Sequence, residues 1–237
     1  MKTIGLIGGI SWESSLEYYR IMNEAVREIL GGYHSAKCIM YSVDFAEVEK
    51  LQREVHWDRA AKLLTDIARK LENSGADLLV ICANTMHKFA DSIQKSIQIP
   101  LLHIADVTGE KIKDRGLKKV GLLGTRFTME EDFYKERLIR KYGLELIIPD
   151  KKERQLIHEV LFDHVRTGKI DQSSKDIFKK IIRGLEEKGA EGIILGCTEI
   201  PLFVKQEEYE LPLFDTMMIH ARAAVEFALS GNPQLPF

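Results

Sequence analysis

Apolar positions along the chain fall into short continuous runs, separated by longer stretches of mixed polarity. The first run, "KTIGLIGG" (2–9), is strand-sized and ends in glycines. "SWESSLEYYRIMNEAVREIL" (11–30) follows, opening on Ser and Glu as helix-start signals and carrying apolar residues at helical spacing. Strand, tight loop and helix make the first half of a β-α-β unit. "KCIMYSV" (37–43) reads as the next buried strand. A long amphipathic stretch, "VEKLQREVHWDRAAKLLTDIARKLENSG" (48–75), leads from it to a third, "DLLVICA" (77–83). Later strand candidates are "PLLHI", "KKVGLLG", "LELIIP", "GIILGC" and "LPLF", with helical patterns between them. Short apolar strands alternating with helices predict an α/β fold with parallel sheets.

The pattern repeats. "KLENSGADLLVICANT" (70–85) aligns without a gap on "GLEEKGAEGIILGCTE" (184–199), "KTIGLIGG" (2–9) on "KKVGLLGT" (118–125), and "PLLH" (100–103) on "PLFD" (212–215). The offsets lie between 112 and 116 and the order is kept. Any two buried strand–helix segments look somewhat alike, but burial does not demand the shared Leu-Glu-x-x-Gly-Ala-acid string. Duplication is therefore the preferred reading. It predicts two pseudo-symmetric β/α domains facing across a cleft. One comprises about 1–100 with 211–237 and the other about 101–210. Ligands of parallel sheets sit at the carboxyl ends of strands, beside helix N-termini. The alignment sets Ala83 on Cys197, and Asn84-Thr85 on Thr198-Glu199.

Cys197 is the strongest candidate for chemistry. It ends an apolar strand and opens a helix, a position expected to lower a thiol pKa, and Thr198 and Glu199 follow at once. The competing reading is a buried structural cysteine; the strand-end position favours the reactive one. Strand alternation sends Cys82 into packing if Ala83 faces a ligand, and Cys38 lies mid-strand. Gly5-x-x-Gly8-Gly9 is not a dinucleotide fingerprint. Its plainer use is close backbone approach to a small carboxylate, with Ser11 and Trp12 at the helix start. Thr125 and Thr128 occupy the matching place in the second half and are positioned to add hydroxyl contacts. His87, His103, His158 and His220 are scattered without metal-ligand spacing, so each reads as an ordinary, partly buried histidine. There is no phosphate loop and no lysine in a Schiff-base context. No metal and no cofactor are expected.

Composition narrows the class further. With 45% hydrophobic and 30% charged residues the chain is that of a soluble globular protein. A formal net charge of −2 with no basic run points away from nucleic acid and anionic membranes. Three cysteines and no signal peptide predict a reducing, cytoplasmic setting without a disulfide framework.

"KTIGLIGGISWES", "ANTMHK", "HIAD", "GLLGTRFTM", "GCTEIPL" and "PLFDT" together resemble the aspartate/glutamate racemase family, in its broad-specificity amino-acid racemase branch. The resemblance runs in order over essentially the whole chain. It implies cofactor-independent racemisation of an amino acid, with one acid or base on each side of the cleft, and it allows a homodimer. Cys197 matches the second of those groups. Position 83 matches the first, usually Cys, or Thr in the nearest branch, and here it is alanine. By the same resemblance Ile10, Ser11, Trp12, Asn84, Thr85, Thr198 and Glu199 bind the substrate's carboxylate and ammonium groups, and Gln52 lines the pocket. Aspartate-specific members carry an arginine near Val48-Glu49; finding Glu49 argues against aspartate, with Arg166 a candidate substitute charge. Inverting a Cα centre needs a proton removed on one face and returned on the other, and alanine can do neither. Three readings of Ala83 stand side by side: an inactivated site, another proton carrier, or a one-base reaction. A one-thiol relative of the decarboxylase type and a non-catalytic amino-acid-binding protein are the alternatives to an isomerase.

Overall fold

The computed structural model describes residues 1–230, apart from the side chain of Arg166. The expected second-domain charge Arg166 and the 231–237 end of the expected first domain therefore lie outside what is described. In chain order the elements are β1 (Ile4–Gly8), α1 (Trp12–Leu30), β2 (Cys38–Ser42), α2 (Phe45–Arg53), α3 (Trp57–Asn73) and β3 (Leu78–Ile81). A 3-10 turn (Thr85–Phe89) and α4 (Ala90–Gln94) follow, then α5 (Ile104–Asp114), β4 (Lys119–Gly124), α6 (Arg126–Glu130) and α7 (Asp132–Tyr142). The chain continues with β5 (Glu145–Ile147), α8 (Lys151–Thr167), α9 (Gln172–Glu187), β6 (Ile193–Gly196), a 3-10 turn (Ile200–Leu202), β7 (Leu213–Asp215) and α10 (Thr216–Leu229). Two compact units result, one from Met1–His103 with the chain from His220 onward, the other from Ile104–Ile219. Among the described residues no helix is long and apolar enough to cross a membrane.

The fold is α/β with one parallel sheet in each unit. In unit 1 the strand order is β2-β1-β3, with Ile4 opposite Cys38 on one side and Leu78 on the other. In unit 2 the order is β5-β4-β6-β7, with Gly121 opposite Ile147 and Ile193. The expected strand "PLLHI" contracts to one parallel bridge, Leu79 to Leu101, on the outer side of β3. With that bridge counted, the two units run through the same order. The strands are fully buried over Ile4–Gly8, Leu78–Ile81 and Ile193–Gly196, which is why they read as unbroken apolar runs rather than alternating ones.

Duplication reaches the packing of side chains. The buried stripe of α3 includes Leu64, Ile67, Ala68 and Leu71; that of α9 is Phe178, Ile181, Ile182 and Leu185. Those are the same positions in the repeat alignment, spaced as one apolar helix face. Each helix covers its own core: Leu64, Ile67, Leu71, Leu79 and Ile81 belong to the cluster of unit 1. Leu122, Phe178, Ile182, Leu185 and Ile193 belong to that of unit 2. Burying each such side chain contributes about 1.5–3 kcal/mol.

The long amphipathic stretch is two helices, not one. Val55 takes a left-handed backbone (φ 59°), and the His56 N–H donates to the Leu51 carbonyl at 2.8 Å, closing α2. A glycine there would have announced the stop; a β-branched residue is among the poorest for that conformation.

Candidate functional site

In unit 1 the candidate residues gather at the carboxyl ends of the adjacent strands β1 and β3. Gly9 has φ 85°, and a Cβ there would collide with the Val43 carbonyl and lie 2.5 Å from the Val43 nitrogen, so only glycine fits. Its N–H donates to Ser15 Oγ at 2.8 Å. Ser11 caps α1 by accepting from the Ser14 N–H at 3.4 Å, and the two hydroxyls lie 3.1 Å apart. Ile10 and Ser11 are buried, whereas the Trp12 side chain is 64% exposed. At the end of β3, Ala83 packs in the apolar cluster with Ile7, Ile10, Met86 and Phe89. Asn84 and Thr85 are buried beside it, and Gln52 is buried on the inner face of α2.

Unit 2 builds the same arrangement on β4 and β6. Thr125 caps α6, accepting from the Thr128 N–H at 3.4 Å, with the two hydroxyls 3.3 Å apart. This repeats the Ser11–Ser14 pair. Gly124 and Gly196 are register partners, and a Cβ on Gly124 would stand 2.8 Å from the Gly196 carbonyl. The turn after β6 therefore lies close against the Thr125 cap. In that turn Cys197 Sγ donates to Glu199 Oε2 at 2.8 Å, and Thr198 Oγ1 donates to the same oxygen at 2.9 Å. Cys197, Thr198 and Glu199 are all buried.

The thiol pKa moves opposite to the expectation from its strand-end position. Burial pushes Cys197 well above the ordinary thiol value, and the neighbouring Glu199 charge and hydrogen bond push the same way. The N–H groups of Glu199 and Thr198 favour the thiolate but are outweighed. Cys82 is fully buried and its pKa is also raised, first by desolvation. It is the core residue that strand alternation indicates.

The histidines are less scattered than they read. His87, His103 and His220 converge in unit 1, with ring centroids 4.7 Å apart for the first pair and 5.5 Å for His87 and His220. All three are buried. His87 and His103 fall in the motifs "ANTMHK" and "HIAD", whereas their gathering with His220 is made by tertiary contacts. His158 stands apart, against Phe127 and Phe162. Among the described residues no three His, Cys, Asp or Glu side chains are grouped to hold a metal ion.

Comparison with known proteins agrees with this architecture. The family model for Asp/Glu/hydantoin racemase matches residues 7–224. The broad-specificity amino-acid racemase RacX of Bacillus subtilis (strain 168) is 26% identical over 178 residues, 75% of this chain and 76% of the relative. A Yersinia pestis protein provisionally described as an Asp/Glu racemase has a crystal structure 49% identical, with a TM-score of 0.91 over 97% of this chain and all of its own. An aspartate racemase homologue from Pyrococcus horikoshii OT3 is 38% identical, with a TM-score of 0.83 over 96% of this chain and 99% of that one. The chain belongs to the Asp/Glu/hydantoin racemase family.

Proposed function

We propose that this protein is an amino-acid racemase or epimerase working at Cα without a cofactor, impaired in its present form by the alanine at position 83. The observation that carries the reading is the Cys197–Glu199 pair at the end of β6, a thiol with its proton already directed at a carboxylate 2.8 Å away. A thiol with a raised pKa needs such an acceptor to become a nucleophile or base. In the proposed cycle Glu199 takes the Sγ proton and the thiolate takes the substrate α-proton. The C–H electron pair stays on carbon, delocalised into the substrate carboxylate. A proton returned from the other face inverts the centre. The capped hydroxyl pairs Ser11–Ser14 and Thr125–Thr128, with Asn84, Thr85, Thr198 and the pocket residue Gln52, are the proposed carboxylate and ammonium binders. Position 83 is the proposed second carrier, and its methyl group holds no proton to give.

The substrate class we favour is a small neutral or hydroxylated amino acid. Support comes from the broad specificity named for the Bacillus subtilis relative and from Glu49, whose carboxylate accepts from Arg53 Nε at 3.1 Å. A carboxylate in that place does not attract a second substrate carboxylate.

Restoring a proton carrier tests the reading. Ala83→Thr or Ala83→Cys is expected to raise racemisation of such an amino acid by ~10²–10⁴-fold, followed by chiral chromatography, with Cys197→Ser abolishing the gain. In D₂O the unaltered chain is expected to exchange the α-proton of one enantiomer while keeping its configuration. No gain from either substitution, with amino acid still bound, would favour the non-catalytic binding protein. Turnover of malonates instead of amino acids would favour the decarboxylase type.

A further inference from the structure

The turn after β3 is held by a residue that the proposed chemistry does not use. β3 ends at Ile81, and the buried backbone of Ala83 and Asn84 continues into the 3-10 turn Thr85–Phe89. Buried carbonyls need donors. His87 supplies two: its main-chain N–H donates to the Asn84 carbonyl at 3.1 Å, and its ring Nδ1 to the Ala83 carbonyl at 2.8 Å. A carbonyl only accepts, so Nδ1 carries the proton.

The imidazole that makes this clamp is itself walled in. His103 and His220 pack against it. His220 is fixed at both ends: Nε2 donates to the Leu102 carbonyl at 2.9 Å, and Nδ1 therefore accepts from the Tyr18 hydroxyl at 2.8 Å. The His220 wall of the His87 ring is thus held in place by α1 through Tyr18 and by the Leu102 carbonyl. The fold does not require it. In the repeat alignment the place of His87 in unit 2 is taken by Pro201, which sits in the 3-10 turn Ile200–Leu202 with no imidazole.

We propose that His87 is a positioning residue, fixing the carbonyl of residue 83 and so the turn that carries position 83, Asn84 and Thr85. This rests on the racemase reading for what the turn does, though not for the clamp itself. His87 then acts through the backbone, not on substrate. It belongs to the half in which position 83 has no side-chain partner, whereas the Cys197 turn is organised through Glu199.

Two near-isosteric variants separate positioning from packing. His87→Asn keeps a donor where Nδ1 stands; His87→Gln moves its donor outward to where Nε2 stands. In the full chain, hydrogen exchange of the Asn84 and Thr85 amides is expected to quicken about tenfold in His87→Gln and to change little in His87→Asn. Combined with Ala83→Thr, racemisation kcat/KM is expected to fall about tenfold for Gln and to stay within about threefold for Asn. Asn and Gln variants that behave alike in exchange would overturn the proposal. If the exchange pattern holds while no Ala83→Thr protein racemises, the racemase reading fails and the clamp stands. Should the variants not fold, imidazole nitrogen NMR of the unaltered chain decides: a proton on Nδ1 of His87 supports the clamp, and a bare Nδ1 overturns it.

Discussion

His220 is where a single residue makes unit 1 sensitive to acid. Burial, with the neighbouring His87, lowers its pKa from 6.5 to about 3. The unfolded chain therefore binds this proton more readily than the folded one. The stability due to a neutral His220 is complete above about pH 6.5 and is lost as pH falls from there toward about 3. The slope in that window is at most roughly 1.4 kcal/mol per pH unit. Urea unfolding between about pH 6 and pH 4 is expected to show it, and His220→Gln to reduce the slope by about one proton. An unchanged slope in the variant would assign the acid sensitivity to another group. Cys197 teaches the same lesson with the opposite sign, since in both cases desolvation is the largest influence on the group. A residue's place in a motif told less about its charge than the water it loses.

At the scale of elements, α5 and α7 are fastened by one buried carboxylate. Asp106 is fully buried; Arg137 grips it through Nε and Nη2 at 2.7 and 2.8 Å, and Lys141 Nζ adds a contact at 3.1 Å. Arg137→Ala removes the two-pronged donor from a charge that has no water to fall back on. It is expected to lower stability by about 3 kcal/mol in chemical denaturation, more than an exposed pair such as Arg140–Glu136 would cost. A loss below about 1 kcal/mol would mean that Lys141 alone balances Asp106. Neither this joint nor the break at Val55 was legible along the chain. The first pairs residues that share no local motif, and the second uses a residue that disfavours its own conformation. Strands, by contrast, were legible because parallel strands buried on both faces leave continuous apolar runs. The two halves were legible because their helix faces repeat in register, Leu71 with Leu185. The strand-end cysteine was legible through position, but its partner oxygen on Glu199 and the gathering of His103 and His220 around His87 exist only after folding.

For the whole molecule, the two units carry separate hydrophobic clusters, and unit 2 is one uninterrupted piece of chain. A fragment spanning 104–219 is expected to fold alone, with a cooperative thermal transition by circular dichroism. A 1–103 fragment is expected not to, because α10 supplies unit 1 with the Lys2–Ala228 backbone bond, the Tyr18–His220 bond and the Arg222–Glu28 pair. Adding back a 216–230 peptide should then restore structure to 1–103. A cooperative transition in 1–103 alone would show α10 to be dispensable.

His220 also sets a timetable. The hydroxyl of Tyr18 leaves the ribosome early, but its imidazole partner is not made until the whole of 104–219 has been translated. At ordinary elongation rates that is a delay on the order of ten seconds, long compared with the folding of a small α/β unit. The unit begun first is therefore the one finished last. Its strands β1, β2 and β3 wait on the nascent chain without the helix that completes their unit, and the His87 turn lacks one wall, while the inserted unit emerges ahead of that helix.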